Sequence, residues 1–207
     1  MKNNKIRIYG AGGHADVVKD IFIENGFDIT DVYDDNYSVN LKNSTGPGVR
    51  NNEVEFPHKG SKVVIALGVN KHRCEISKLL KTTFGNAIHK SSIIAKNIVI
   101  GEGTVIIAGA IVNVNTKIGK HVILNTASSI GHDCIVGDFV HISPNVALCG
   151  HVEIGEGTHV GAGSVVIQEV KIGKWCLIGA GSVIINDIPD YSIVVGNPGK
   201  IIKSNLI

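Results

Sequence analysis

The sequence predicts a small parallel α/β domain over residues 1–85 followed by a parallel β-helix domain over residues 86–207, ending in a short tail. Three observations carry this reading. Every sixth residue from Ile88 to Ile184 is Ile, Leu or Val, seventeen in succession with no insertion. The chain has 25 glycines but only 5% aromatic residues, a balance that suits many regular tight turns. Before residue 85, strand-like and helix-like segments alternate instead.

A period of six fits neither an α-helical face nor a simple alternating strand. It fits short strands joined by tight turns, each sending one large aliphatic inward. The residue after the aliphatic is Gly at 101, 119, 131, 137, 155, 161, 173 and 179, expected where the backbone needs freedom at a corner. The fourth residue after it is small or β-branched, as in Thr104, Ala110, Cys134 and Ser164. Coils stacked about 4.8 Å apart would hydrogen-bond rung to rung and align the aliphatics in a column.

In the first domain, Lys5 to Tyr9 reads as a strand, Ala15 to Asn25 as a helix and Ile29 to Tyr33 as a second strand. Lys62 to Leu67 reads as a third strand and Lys71 to Thr82 as a second helix, with Asn70 as its N-cap. Strands alternating with helices imply a parallel sheet. The intervening stretch, with Gly46-Pro47-Gly48 and Pro57, reads as a loop without a long element.

Gly10-Ala11-Gly12-Gly13-His14-Ala15 follows the first strand and opens the first helix. Glycines there let a phosphate approach the free N–H groups of a helix N-terminus, and Asp34 and Asp35 end the second strand, where a carboxylate suits a ribose or base. A dinucleotide site is disfavoured, because three strands make only half of a dinucleotide-binding fold and the chain then passes straight into the repeats. A mononucleotide half-site fits better, and a tight turn without ligand is the plain alternative.

Composition narrows the function classes. The 207 residues are 43% apolar and 18% charged with a net charge of +2, and Lys and Arg are scattered, which argues against nucleic-acid binding. The apolar stretch after Met1 is too short for a signal peptide or membrane span, so no membrane insertion is expected. Cys74, Cys134, Cys149 and Cys176 form no CxxC pair or His/Cys cluster. They read as free thiols of a cytoplasmic protein, and no metal site is expected.

The repeat resembles the hexapeptide-repeat acyltransferases, whose fold is a left-handed β-helix of three hexapeptides per coil. The whole chain is similar to the bacterial enzymes that N-acetylate UDP-linked 4-amino-sugars and to the related sialic acid O-acetyltransferases. The matching residues are Tyr9 to His14, Asp34-Asp35, Ala66-Leu67-Gly68-Val69-Asn70, and Asn125-Thr126 before Gly131-His132-Asp133-Cys134. The resemblance implies an acetyl-CoA co-substrate, a nucleotide-linked amino-sugar acceptor (UDP before GDP or dTDP), and a homotrimer with active sites between subunits. It assigns the nucleotide to Gly10, Gly12, Gly13, His14, Asp34, Asp35, Gly68 and Asn70. It makes His132 the general base with Asn125 close by.

Register adds to this. His132 lies two residues after the inward Ile130 and so faces outward, with Asp133 placed to fix its tautomer. Gly150, 18 residues on, stacks at the same azimuth, where its N–H suits an acetyl carbonyl or oxyanion. His141 and His159 also stack; His141 matches a position near CoA or substrate, whereas His159 reads as a surface residue. His121 and His151 read as surface or packing residues. The ending Val195-Gly196-Asn197-Pro198-Gly199-Lys200 resembles the family's CoA-proximal tail. With Gly161 and Gly179 it is expected to line the CoA path through Asn197, Pro198 and Lys200, and a rigid turn closing the solenoid is the alternative. Cys134 and Cys176 fall at inward positions, so direct transfer is expected. O-acetylation of a sugar such as sialic acid, and a non-catalytic sugar-nucleotide-binding scaffold, are the competing readings.

Overall fold

The computed structural model describes residues 4–34, 49–50 and 62–205. The α/β domain runs β1 (Lys5–Tyr9), α1 (Gly13–Glu24), β2 (Asp28–Tyr33), β3 (Val49–Arg50), β4 (Lys62–Ile65) and α2 (Asn70–Leu79). Its parallel sheet has the order β3-β2-β1-β4. The three expected strands are present, and β3 adds a two-residue edge within the stretch expected to be loop. Gly46-Pro47-Gly48, Pro57 and Asp35 lie outside the described residues. Helix α1 begins at Gly13 rather than Ala15, because Gly12 serves as the N-cap and its carbonyl accepts from the Ala15 and Asp16 N–H groups.

The β-helix is seventeen two-residue strands, β5 to β21, running from Ala87–Ile88 to Val183–Ile184. Each ends on one of the periodic aliphatics and pairs in parallel with a strand one coil away, as Leu124 pairs with Ile142. Three flat faces result. Face 1 begins at Ala87–Ile88, face 2 at Ile93–Ile94 and face 3 at Val99–Ile100. From Ile106 to Val194 the inward aliphatics form one buried core. Burying such a side chain fully is worth about 1.5–3 kcal/mol, and that gain repeats at every step.

Polar residues at the fourth position complete the corners. The Thr158 hydroxyl donates to the Gly173 carbonyl at 2.7 Å and accepts from the Cys176 N–H at 3.0 Å. Thr104 makes the matching pair of bonds. Backbone groups turned inward at a corner therefore find partners without water.

The expected reason for the corner glycines needs correction. Positive φ falls on the third residue after the aliphatic, not the first, and there it is often borne by residues such as Asn115, Asp133 and Trp175. Gly131 has no positive φ; a β-carbon there would lie 2.6 Å from the Cys149 carbonyl carbon. The glycine after the aliphatic is thus required by close stacking of coils, not by backbone freedom.

The α/β domain sits on the early part of face 1. Ala87, Val105 and Ile123 point outward from that face yet have no exposure, because they share a core with Ile8, Val18 and Phe22. At the other end, β22 (Ser192–Val195) extends face 1 and β23 (Lys200–Ser204) folds back against it.

Candidate functional site

The sequence-predicted catalytic residues occupy two places in one chain, on opposite edges of face 2. The first is the corner between faces 2 and 3. There His132 is half exposed, and its Nδ1 lies 2.7 Å from an Asp133 carboxylate oxygen. The left-handed backbone at Asp133, φ 57°, swings that carboxylate back toward the ring. Asn115 from the preceding coil donates to Asp133 at 3.0 Å, and the hydrogen bond from His132 is the main cause holding the Asp133 carboxyl below its ordinary range. An ionised Asp133 favours the tautomer with the proton on Nδ1, leaving the Nε2 lone pair available as a base.

Gly150 lies directly beneath this ring. A β-carbon there would come 2.7 Å from His132 Cε1 and Nε2, so glycine makes room for the imidazole. The Gly150 N–H makes no hydrogen bond among the described residues, while its carbonyl accepts from Glu169. His151, which reads from the sequence as a surface or packing residue, packs edge-on against His132 with ring centroids 5.2 Å apart.

The second place lies along face 1, where α2 approaches it. Asn125, which the resemblance sets close to His132, lies within this chain at the other corner of face 2, after β11. Its Nδ2 lies 3.2 Å from His141 Nε2, because Asn125 caps the neighbouring corner. His141 stacks on His159 with centroids 4.7 Å apart and planes 8° from parallel. His159 is therefore no surface residue; half-buried, it pairs with the Ser143 hydroxyl at 2.8 Å. Burial first, then nearby charge from His159 and Arg73, lowers the His141 pKa to about 3. His14 is lowered to about 4 by burial and by Arg73. Both are neutral near pH 7, and each keeps a buried ring nitrogen without a partner (His14 Nε2 and His141 Nδ1).

Arg73, not singled out in the sequence, joins the two domains here. It is fully buried and donates to the His121 and Phe139 carbonyls of the β-helix, each at 2.8 Å. It also donates to the Leu67 and Gly68 carbonyls in the loop before α2, at 2.9 and 3.3 Å. No carboxylate pairs with it among the described residues, and burial lowers its pKa to about 9. The guanidinium is thus a buried positive charge satisfied by carbonyl dipoles.

Asn70 is not the N-cap of α2. That place belongs to Val69, and Asn70 is the first helical residue. Its side chain donates to the Gly157 and Thr158 carbonyls at 3.0 and 3.2 Å and accepts from Arg73 at 3.0 Å. Docking against the β-helix has claimed the amide that would otherwise cap the helix. Beside it, Gly68, Asn70, His141, His159 and Trp175 help line a cavity of about 550 Å³.

In the glycine loop, Gly10 has φ 112° and a β-carbon there would lie 2.8 Å from the Ala66 carbonyl oxygen. At Gly12, Gly13 and Gly68 a β-carbon would meet nothing within 4 Å, so these backbones are open to a ligand. Asp34 holds the loop, accepting from the Ala11 N–H at 2.8 Å. Along the corner between faces 1 and 2, Gly161 and Gly179 continue the stack above Asn125 and Ser143. The exposed turn of Asn197 and Pro198 lies at the same end and leads into Lys200, the first residue of β23.

Comparison with known proteins finds relatives of both the N-terminal and the repeat region. Residues 5–80 match the PglD N-terminal domain family, and residues 151–186 match the bacterial transferase hexapeptide (six repeats). PerB from Caulobacter crescentus, solved in complex with CoA and GDP-perosamine, is 31% identical with a TM-score of 0.87, over 96% of this chain and 97% of that one. The acetyltransferase domain of PglB from Neisseria gonorrhoeae, in complex with acetyl coenzyme A, is also 31% identical with a TM-score of 0.87, over 97% and 100% of the two chains. UDP-N-acetylbacillosamine N-acetyltransferase of Bacillus subtilis is 38% identical over 115 residues, and that stretch is 52% of each chain, about half the length of the curated relative.

Proposed function

Since the chain belongs to the hexapeptide-repeat acyltransferases, within the bacterial sugar N-acetyltransferases, we propose that it moves the acetyl group of acetyl-CoA to the 4-amino group of a nucleotide-linked amino-deoxy sugar. The observation that carries this reading is the His132–Asp133 pair set over Gly150, a base with one nitrogen fixed and the other free. His132 Nε2 accepts a proton from the amine as its nitrogen attacks the thioester carbonyl. Asp133 balances the imidazolium so formed, and the Gly150 N–H donates to the developing oxyanion. The imidazolium then returns the proton to the departing thiolate. Transfer is direct: burial raises the pKa of the nearby Cys134 thiol, which makes it a poor nucleophile.

Gly10, Gly12, Gly13, His14, Asp34, Asp35, Gly68 and Asn70 are assigned to the sugar nucleotide, with the open glycine backbones taking the diphosphate. Asn125 and His141 are assigned to the acetyl and sugar end, and Gly161, Gly179, Asn197, Pro198 and Lys200 to the CoA chain. The nucleotide is proposed to be UDP, in line with the Bacillus relative; the Caulobacter relative's GDP-perosamine supports GDP as the second reading.

The split of the site supports a homotrimer. Face 2 presents Ile93, Ile111, Ser129, Ala147, Val165 and Val183, without a charge, whereas face 3 presents Lys117, Glu153 and Lys171. Packing through the uncharged face brings His132 of one copy toward Asn125 and His141 of the next, since they flank face 2 on opposite edges. A threefold ring closes such a head-to-tail contact. Among the described residues no helix is long and apolar enough to cross a membrane, and the free thiols support a cytoplasmic setting.

The test is CoA release from acetyl-CoA by purified protein with UDP-, GDP- and dTDP-linked 4-amino-6-deoxy sugars and sialic acid. Turnover with one amino-sugar nucleotide is expected and names the nucleotide. Turnover with sialic acid alone moves the reaction to O-acetylation, and no turnover with any acceptor leaves a binding scaffold.

A further inference from the structure

His132, Asp133 and His151 each offer a ligand atom, and the three atoms lie within 4.8 Å of one another. Asp133 and His151 are 18 residues apart, so the repeat stacks them on adjacent coils at one corner. One Asp133 carboxylate oxygen is 2.7 Å from His132 Nδ1 and 3.9 Å from His151 Nε2. Ligands bound tetrahedrally at about 2.0–2.1 Å from zinc stand roughly 3.3 Å apart, midway between those two separations. Small side-chain rotations therefore bring two imidazoles and a carboxylate onto one ion, with a fourth position left to solvent. Asn115, donating to the other Asp133 oxygen, steadies the carboxylate as an outer-shell partner.

We propose that this corner is an inhibitory binding site for zinc or a similar nitrogen-preferring divalent cation, held by His132, Asp133 and His151. The ligand set of two nitrogens and one oxygen suits zinc and disfavours magnesium, which takes oxygen ligands in an octahedron. Zinc on Nδ1 occupies that lone pair, so the proton of the neutral ring must sit on Nε2. The nitrogen assigned to accept the amine proton then has no lone pair to offer. Metal binding here stands without the acetyltransferase reading; the inhibition rests on it.

The test uses the full chain, freed of metal by chelation, with zinc chloride or magnesium chloride as the probe. Calorimetric titration is expected to give one zinc per chain, with no magnesium binding. His151→Gln, which lies outside the proposed catalytic group, is expected to keep metal-free turnover. It should lose at least the ~100-fold in zinc affinity that marks the upper end for removing an outer-shell partner, together with the inhibition. Equal zinc affinity in wild type and His151→Gln overturns the site, as does the absence of a zinc isotherm. Zinc bound through His151 without inhibition of an active enzyme keeps the site and overturns its effect on the base. A protein that binds zinc yet turns over no acceptor keeps the site while the acetyltransferase reading fails.

Discussion

The His132 imidazole rests on the α-carbon of Gly150, one coil further along, with ring atoms 2.7 Å from where a β-carbon would project. Two properties of the proposed mechanism meet at this contact. The glycine makes room for the base above the corner, and its own N–H is the donor proposed for the oxyanion. Gly150→Ala is expected to displace the ring and lower kcat by about 10²-fold, the scale of a misplaced general base. Stability should change far less, because the corner is open to solvent. Steady-state kinetics beside a denaturation curve checks both expectations.

Arg73 carries a second prediction. Arg73→Gln leaves the His121 and Phe139 carbonyls without their donor and loosens the Leu67–Gly68 loop from the β-helix. Stability is expected to fall by about 3 kcal/mol, read from the urea midpoint. Arg73→Lys should recover part of the stability but not the planar multi-carbonyl geometry. In that variant KM should rise for the sugar nucleotide while KM for acetyl-CoA stays near wild type. An equal rise in both would place Arg73 outside the nucleotide loop's function.

Acid should unfold the protein earlier than its exposed carboxylates alone would. His14 and His121 are lowered to about 4 and His141 to about 3, each chiefly by burial. Unfolded, these rings titrate near 6.5 and so bind more protons than the folded state between about pH 6.5 and pH 3–4. The stability they contribute is therefore complete above pH 6.5 and falls as pH drops through that window. His121 is enclosed between Phe84 and Phe139, so His121→Phe removes one titrating ring within an aromatic stack. The slope of Tm against pH between 6.5 and 4 should be shallower in that variant.

Two glycines at different repeat positions should behave differently. Gly131→Ala drives a methyl to 2.6 Å from the Cys149 carbonyl carbon, which forces coils apart. Gly163 has φ 68° with nothing near its absent β-carbon, so Gly163→Ala meets backbone strain alone. The first is expected to cost about 3 kcal/mol or more and the second about 1 kcal/mol. Similar costs would contradict the stacking role assigned to the glycine after the aliphatic.

The proposed trimer is open to test at the faces. Val165→Glu places a charge in the middle of uncharged face 2 and should yield monomers by light scattering, with loss of turnover. Lys117→Glu on face 3 should remain trimeric and active. Dissociation by Lys117→Glu but not by Val165→Glu would move the contact to the other face.

Much of this is legible in the sequence because a solenoid ties register directly to position. The period from Ile88 to Ile184 marks the seventeen strands and the stacking of His132 with Gly150 and His141 with His159. The same 18-residue step relates Asp133 to His151, yet neither residue suggests that pairing until it is set against the coil above. Contacts between domains leave no periodic trace. Arg73 looks like any polar residue of a helix, and Asn70 looks like a cap, until docking of α2 on face 1 gives both other partners. Asn125 is expected beside His132 because family likeness names the residues of a site, whereas the fold puts the two at different corners of face 2 in one chain.

The proposed mechanism turns on His132 removing a proton from a sugar amine during transfer from acetyl-CoA. The most direct test compares wild type with His132→Gln under saturating acetyl-CoA and the nucleotide sugar that wild type accepts. Turnover is followed by CoA release and by acetylation of the 4-amino nitrogen, with CoA affinity measured in parallel. A general base at His132 requires a fall in kcat of at least about 10²-fold with CoA binding largely kept. Near-normal kcat in His132→Gln would contradict that role.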